Sequence, residues 1–251
     1  MNKSGKREYL YQKTVASKTI SVWDENNQRI LAFDNDNSQT SINLSKPHDL
    51  LLSYLVPMMA SIQLSSKSEN KILIIGLGGG AMIHYLNKFY PQSCITVIES
   101  VPEVIAIANK YFNLSSKQAD LELVLADAFI FMKENKTKYD VILSDLPLMD
   151  YPHYQALFEL CYRSLSDDGV CAFNAPCFSQ EAAKSLILSW NQQFHYQALS
   201  IPVKNSSNLV LIAYIERDVN DVIQSLIDQK KLGKLIAKDP LLGHIRSDFS
   251  Y

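Results

Sequence analysis

An α/β fold built on a mostly parallel sheet is what this sequence predicts, and three observations carry the prediction. The apolar run Ile72–Ile75 reads as a strand buried on both faces, ended abruptly by the glycine cluster Gly76, Gly78, Gly79 and Gly80. Strand-type and helix-type segments then alternate with short connections, the pattern of parallel strands joined by right-handed crossovers. Three of the first four strand ends finish in a carboxylate: Glu99, Asp127 and Asp145. Strand, glycine turn and helix in that order describe the nucleoside-binding half of a Rossmann-like sheet.

The elements follow in order. Three short alternating runs, 19–23, 29–33 and 39–44, are separated by the turn-type clusters 24–28 and 34–38 and read as a small antiparallel β unit within residues 1–46. A helix is expected over 47–64, with Ser45 as its cap and Leu50, Leu51, Tyr54, Leu55, Met58 and Met59 on one face. The main domain, 47–216, then alternates strand 72–75, helix 80–90, strand 95–98, helix 102–112, strand 122–125, helix 127–134, strand 140–144, helix 153–165 and strand 169–173. A helix near 179–194 leads to strands near 195–202 and 208–215, whose connection Asn205-Ser206-Ser207-Asn208 looks like a hairpin, so the terminal strand runs antiparallel. Residues 217–251 form a tail with an amphipathic helix built on Val219, Val222, Ile223, Leu226 and Ile227.

Composition narrows the partners. The chain has 251 residues, 20% of them charged, and a formal net charge of −2, so no basic field argues for nucleic acid or an anionic membrane. The four cysteines, Cys94, Cys161, Cys171 and Cys177, are scattered without CxxC spacing, which favours reduced thiols over a disulfide framework or zinc site. No apolar segment of signal-peptide or bilayer-spanning length occurs. The expectation is a cytoplasmic protein acting on small molecules, with no metal.

In an open parallel sheet, ligands bind beyond the carboxyl ends of the strands, so those ends carry the candidate residues. The four glycines let the backbone approach a ligand closely, without choosing between nicotinamide, flavin and adenosylmethionine-type molecules. Glu99, a little over twenty residues beyond the turn, stands where a ribose diol is held; capping the next helix is the competing explanation. Asp127, with Ala128 beside it, suits the exocyclic amine of adenine and equally suits an N-cap, two roles compatible in one residue. Asp145, ending the central strand, is the candidate base: a carboxylate there could hold an amine nucleophile and take its proton. The loop it opens adds Asp150, Tyr151, His153 and Tyr154 as secondary candidates, whereas Asp140 faces the opposite end of the sheet.

At these residues the chain resembles the spermidine synthase (polyamine aminopropyltransferase) family, from about Arg29 to Tyr214. The glycine loop, Val97-Ile98-Glu99, Ala126-Asp127-Ala128-Phe129 and Tyr139-Asp140-Val141-Ile142-Leu143-Ser144-Asp145 follow in family order and spacing. The resemblance implies a class I methyltransferase-type fold, with Glu99 on the nucleoside ribose, Asp127 on the adenine and Asp145 on the attacking amine. It also implies an N-terminal Asp…Gln pair, here Asp34 and Gln39, and a Tyr-His-Glu segment whose counterpart here, Pro47-His48-Asp49, lacks the tyrosine. Two positions depart from the family pattern. Gly79 replaces the Asp that faces the donor's ammonium, which opens the site to adenosylmethionine as well as its decarboxylated form. Asp145-Leu146-Pro147-Leu148 lacks the second Asp of the family's Asp-x-x-Asp-Pro, leaving Asp150 to substitute. The leading expectation is therefore transfer of an alkyl (aminopropyl) group from an adenosyl sulfonium to an amine, as in polyamine biosynthesis. The alternatives are an adenosylmethionine-dependent methyltransferase and an inactive nucleoside-binding homologue. By analogy, the N-terminal β unit pairs with a second copy to give a homodimer.

Overall fold

The computed structural model describes residues 7–215, apart from 16–17, 35–36, 66, 115–119, 147, 149, 196 and 205. The expected helical tail at 217–251 lies outside the described residues. Four strands, β1 (Glu8–Val15), β2 (Lys18–Glu25), β3 (Gln28–Phe33) and β4 (Asn37–Asn43), form an antiparallel sheet in chain order. Asn26 and Asn27, both at positive φ, make the two-residue β2–β3 turn, a conformation asparagine tolerates better than most residues. β1 was not expected from the sequence. It is an exposed edge strand whose register shifts between Tyr9 and Tyr11, which breaks the alternation that marks a half-buried strand.

The helix expected over 47–64 is reduced to α1 (Leu55–Ser61) and a short 3-10 turn, Ile62–Leu64. Pro57 explains the late start: it has no N–H to give a preceding turn, so it fits only within the first turn of a helix. Ser45 caps nothing. It lies in a turn where Asn43 Oδ1 accepts from the Ser45 and Lys46 backbone N–H groups.

The main sheet contains β5 (Lys71–Ile75), β6 (Cys94–Glu99), β7 (Leu121–Leu125), β8 (Tyr139–Ser144), β9 (Leu165–Pro176), β10 (Ala198–Pro202) and β11 (Asn208–Tyr214). Their order is β10-β11-β9-β8-β5-β6-β7. The β5–β6, β6–β7, β5–β8 and β8–β9 pairs are parallel, and β11 runs antiparallel to both β9 and β10. The chain winds outward from β5 to β7 and then returns to β8, so β5 and β8 flank the topological switch point.

Alternate residues of the central strands bury both faces of the sheet. Ile72 and Ile74 of β5 join one core with Val141 and Leu143 of β8, while Leu73 and Ile75 join a second with Ile142. The first core lies beneath the N-terminal sheet, α1, α2 (Ala81–Phe89) and α3 (Pro102–Phe112). The second is covered by α4 (Ala128–Glu134), α5 (Tyr151–Ser164) and α6 (Gln180–Gln193), with Phe158, Phe173 and Trp190 packed edge to face at its centre. β9 starts earlier than the expected strand 169–173: it begins at Leu165, and Asp167-Asp168-Gly169 falls in an irregularity of the β8–β9 register. Asp140 sits at the opposite end of the sheet, as expected. It pairs there with Lys67 at 2.5 Å and accepts from the Lys71 backbone N–H.

Candidate functional site

The carboxyl ends of β5, β6, β7 and β8 converge on one cavity of about 220 Å³. Gly76, Glu99, Asp127, Ala128, Phe129 and Leu146 are among the residues that line it. A larger cavity of about 480 Å³, beside Lys71, Cys94 and Tyr139, opens at the opposite ends of the strands, away from every candidate residue.

The glycine loop is shaped by what it touches. Gly76 adopts φ +94°, and a Cβ there would stand 3.0 Å from the Asp145 backbone oxygen, so only glycine lets β5 and β8 end so close together. Gly80, at φ +78°, begins α2 without a side-chain cap. Between them, the Gly79 N–H donates to Thr40 Oγ1 of β4 at 2.8 Å. A Cβ on Gly79 would meet the Phe112 ring at 2.8 Å and the Thr40 methyl at 2.9 Å. That direction leads into packed side chains. Gln39, next to Thr40, brings its backbone oxygen within 3.9 Å of where a Gly78 Cβ would be.

Glu99 ends β6 half-buried, with both carboxylate oxygens engaged. Oε2 accepts from the Leu77 N–H at 3.2 Å, and Oε1 from the Val101 N–H, just before α3, at 2.9 Å. It ties the glycine loop to the next helix and keeps further lone pairs for a ligand. Asp127 caps α4: its Oδ1 accepts from the Phe129 and Ile130 N–H groups at 2.9 and 3.0 Å. The capping role considered for both acids holds for Asp127, whereas α3 has no side-chain cap and, towards that helix, Glu99 bonds only the N–H of Val101 before it; both still border the cavity.

Asp145 follows β8 and is only partly exposed. Tyr54, which precedes α1, donates its hydroxyl to Oδ2 at 2.8 Å, and the Asn174 amide of β9 donates to Oδ1 at 2.8 Å. Burial pushes the Asp145 carboxyl up to about 6, and the two hydrogen bonds oppose that rise. The Tyr54 phenol is raised far above its ordinary value by burial, then by the charge of Asp145 and their hydrogen bond, so it remains a donor. A carboxylate poised near 6 is ionised at neutral pH and basic enough to accept a proton.

The secondary candidates lie further out. Asp150 caps α5 and meets His153 Nδ1 at 2.5 Å, with the His153 ring edge-on to Phe129 at the cavity rim. The His153 imidazole holds the Asp150 carboxyl below its usual range. Tyr151 and Tyr154 line a separate groove between α5 and α6. His48 packs edge-on against Phe89 near the far end of α2, away from the glycine loop.

Reasoning from sequence missed Tyr54 and Asn174 as site residues. Tyr54 had been assigned to an apolar helix face. Asn174 carried a readable signal: it is a lone amide in the apolar run Val170-Cys171-Ala172-Phe173-Asn174-Ala175, on the strand beside β8. Among the described residues, no group of three or more His, Cys, Asp or Glu side chains is arranged to hold a metal ion.

Residues 54–214 match the family model of the spermine/spermidine synthase domain. A polyamine aminopropyltransferase of Chromobacterium violaceum is 29% identical over 199 residues, covering 78% of this chain and 76% of the relative. A probable spermidine synthase from Corynebacterium glutamicum superposes with a TM-score of 0.70 at 18% identity, over 88% of both chains. The spermidine synthase of Thermotoga maritima superposes at 0.66 with 19% identity, over 85% of this chain and 74% of that one. These superpositions agree with the class I methyltransferase-type fold expected from the sequence.

Proposed function

The chain belongs to the spermine/spermidine synthase family, and on that premise we propose that it transfers an aminopropyl group from an adenosyl sulfonium donor to an amine acceptor. The curated relatives named polyamine aminopropyltransferases favour this reading over methyl transfer. The donor is decarboxylated adenosylmethionine, its nucleoside held by the glycine loop (Gly76, Gly78, Gly79, Gly80), Glu99, Asp127 and Ala128. Asp145 is the base. The acceptor nitrogen forms a bond to the aminopropyl carbon as the carbon–sulfur bond breaks in line. The electron pair stays on sulfur, which leaves as the neutral thioether methylthioadenosine, and the nitrogen's proton passes to Asp145. Since the sulfonium is already activated, alignment and deprotonation are the protein's main tasks.

The observation that carries this reading is the Asp145 carboxyl, poised near 6 between Tyr54 and Asn174 and adjoining the glycine turn at Gly76. Gln39, Asp150, Tyr151 and His153 serve as acceptor-side contacts in the same reading, and His48 is left out of it. A homodimer, with the open edge of β1 as the seam, and a cytoplasmic setting complete the proposal; light scattering at micromolar concentration tests the first. The activity is tested by incubating the protein with decarboxylated adenosylmethionine and putrescine and measuring methylthioadenosine release. Release that disappears in Asp145→Asn is expected. Release that survives the substitution unchanged removes Asp145 as base. Calorimetry with both donors checks the donor form, where a preference of roughly tenfold, about 1.4 kcal/mol, for the decarboxylated one is expected.

A further inference from the structure

Asp145 stands beside the cavity lined by Gly76 and Leu146 without itself lining it, and a chain of side-chain hydrogen bonds runs from its carboxylate. Asn174 Nδ2 donates to Asp145 Oδ1 at 2.8 Å, and Asn208 Nδ2 donates to Asn174 Oδ1 at 2.7 Å. Ser206 Oγ in turn donates to Asn208 Oδ1. Asn174 is 6% exposed, set in β9 between β8 and β11, whereas Asn208 starts β11 at the tip of the β10–β11 hairpin. Asn208 is itself held in place, since its N–H donates to Ser206 Oγ at 3.0 Å and, beside it, the Cys177 N–H donates to the Ser207 carbonyl at 2.6 Å.

A primary amide has a donating end and an accepting end, and an ionised carboxylate only accepts. Asn174 helps the ionised Asp145 only with its nitrogen turned inward, so something must hold its oxygen on the other side. Asn208 supplies that hold. We infer that Asn208 is a positioning residue for Asp145, acting through Asn174 by fixing which end of the Asn174 amide the carboxylate meets. Without it, the Asn174 amide is free to reverse and present its oxygen to Asp145, an arrangement that suits only the protonated acid.

The other groups facing Asp145 do not duplicate this role. Tyr54, before α1, bonds the opposite oxygen. Among the described residues, Tyr154 of α5 also feels the Asp145 charge, and burial pushes that phenol up to about 12, so it stays neutral. From the end of β5 the approach is by backbone: the Asp145 N–H donates to the Ile75 carbonyl at 2.9 Å, and Gly76 packs against the Asp145 carbonyl. The inference rests on the proposed function only in giving Asp145 its role as base.

The test reads Asp145 directly, without substrate. Protein carrying ¹³Cγ-aspartate is titrated by NMR, with the Asp145 signal assigned by its loss in Asp145→Asn. The wild-type midpoint is expected near about 6. Asn208→Leu, which adds no charge, is expected to raise it by roughly one pH unit, a tenfold change in ionisation constant. Asn208→Ser, whose shorter side chain does not reach Asn174, repeats the test if the leucine variant does not fold. Asn208→Asp draws the Asn174 nitrogen outward, and its upward shift is expected to persist at about 1 M salt, where charge repulsion through solvent is screened. A midpoint that stays within roughly 0.3 unit of wild type in the uncharged variants overturns the inference, as does an aspartate-variant shift that salt abolishes. A chain that releases no methylthioadenosine yet shows the shifts refutes the functional reading alone. A chain that transfers normally without the shifts refutes this inference alone.

Discussion

Removing one oxygen atom, in Tyr54→Phe, is expected to move the activity of this protein along the pH axis rather than abolish it. The Tyr54 hydroxyl gives Asp145 Oδ2 a 2.8 Å hydrogen bond, and the phenyl ring that remains fills nearly the same space. A hydrogen bond to a charged group is worth about 1.5–3 kcal/mol, more than a neutral pair, because the ionised partner is costly to leave bare. At about 1.4 kcal/mol per pKa unit, its loss lifts Asp145 by roughly one to two units. Starting from about 6, the new midpoint falls between roughly 7 and 8. Near pH 7 the ionised fraction then drops from about nine-tenths to between roughly one-half and one-tenth. The rate at that pH falls about two- to tenfold and returns toward the wild-type plateau above about pH 9. The assay is methylthioadenosine release from decarboxylated adenosylmethionine across that range, under single-turnover conditions so that product release does not mask the chemical step. A profile that drops evenly at every pH assigns Tyr54 to substrate alignment; one that is unchanged refutes the proposed coupling between the phenol and the base.

Three further outcomes follow from the same geometry. Asp145→Asn is expected to stabilise the fold while abolishing transfer. The folded carboxyl, near 6, holds its proton where the unfolded one, near 3.9, has lost it, so stability contributed by this group is fullest below about pH 4 and declines as pH rises through about 6. At neutral pH its ionisation costs on the order of 2–3 kcal/mol, part of which the asparagine recovers by turning its oxygen to the Asn174 amide nitrogen and its own nitrogen to the Tyr54 hydroxyl oxygen, as urea denaturation at two pH values would register. Gly79→Asp, which restores the family's acid, is expected to destabilise by roughly 1–3 kcal/mol without sharpening donor choice, because its Cβ drives into Phe112 and Thr40; a more discriminating and equally stable variant would contradict the packing argument. Glu99→Gln turns a donor nitrogen toward the Leu77 or Val101 N–H, and methylthioadenosine binding by calorimetry is expected to weaken roughly tenfold to a hundredfold.

The parts of the fold that could be read in the sequence are those where burial on both faces leaves an uninterrupted apolar run. β5 and β8 were placed to within a residue, and helix 102–112 was placed as observed because Pro102 and Asn113 punctuate it. Reading failed where tertiary contacts outvote local pattern. β1 pairs with β2 but its register shift between Tyr9 and Tyr11 breaks the alternation, and Asp167-Asp168-Gly169 falls in the irregularity between the Leu165 and Val170 pairings with β8. The same division runs through the site. Glu99, Asp127 and Asp145 were legible because each closes a strand at the sheet's ligand-binding end. Tyr54 was not, because its approach to Asp145 depends on Pro57 delaying α1, and no spacing rule links residues 54 and 145.

The bond from Gly79 to Thr40 has a wider consequence. A residue of the small sheet forms the outer wall of a turn in the large one, and Arg29 of β3 reaches the Tyr111 carbonyl at the end of α3 nearby. The amino-terminal portion is therefore a brace for the glycine loop and not a detachable ornament. Chimaeras that graft this sheet onto a relative's larger half must match threonine to glycine across the seam, and truncation to the second half alone strips the glycine loop of its brace and bares the core that the two sheets share.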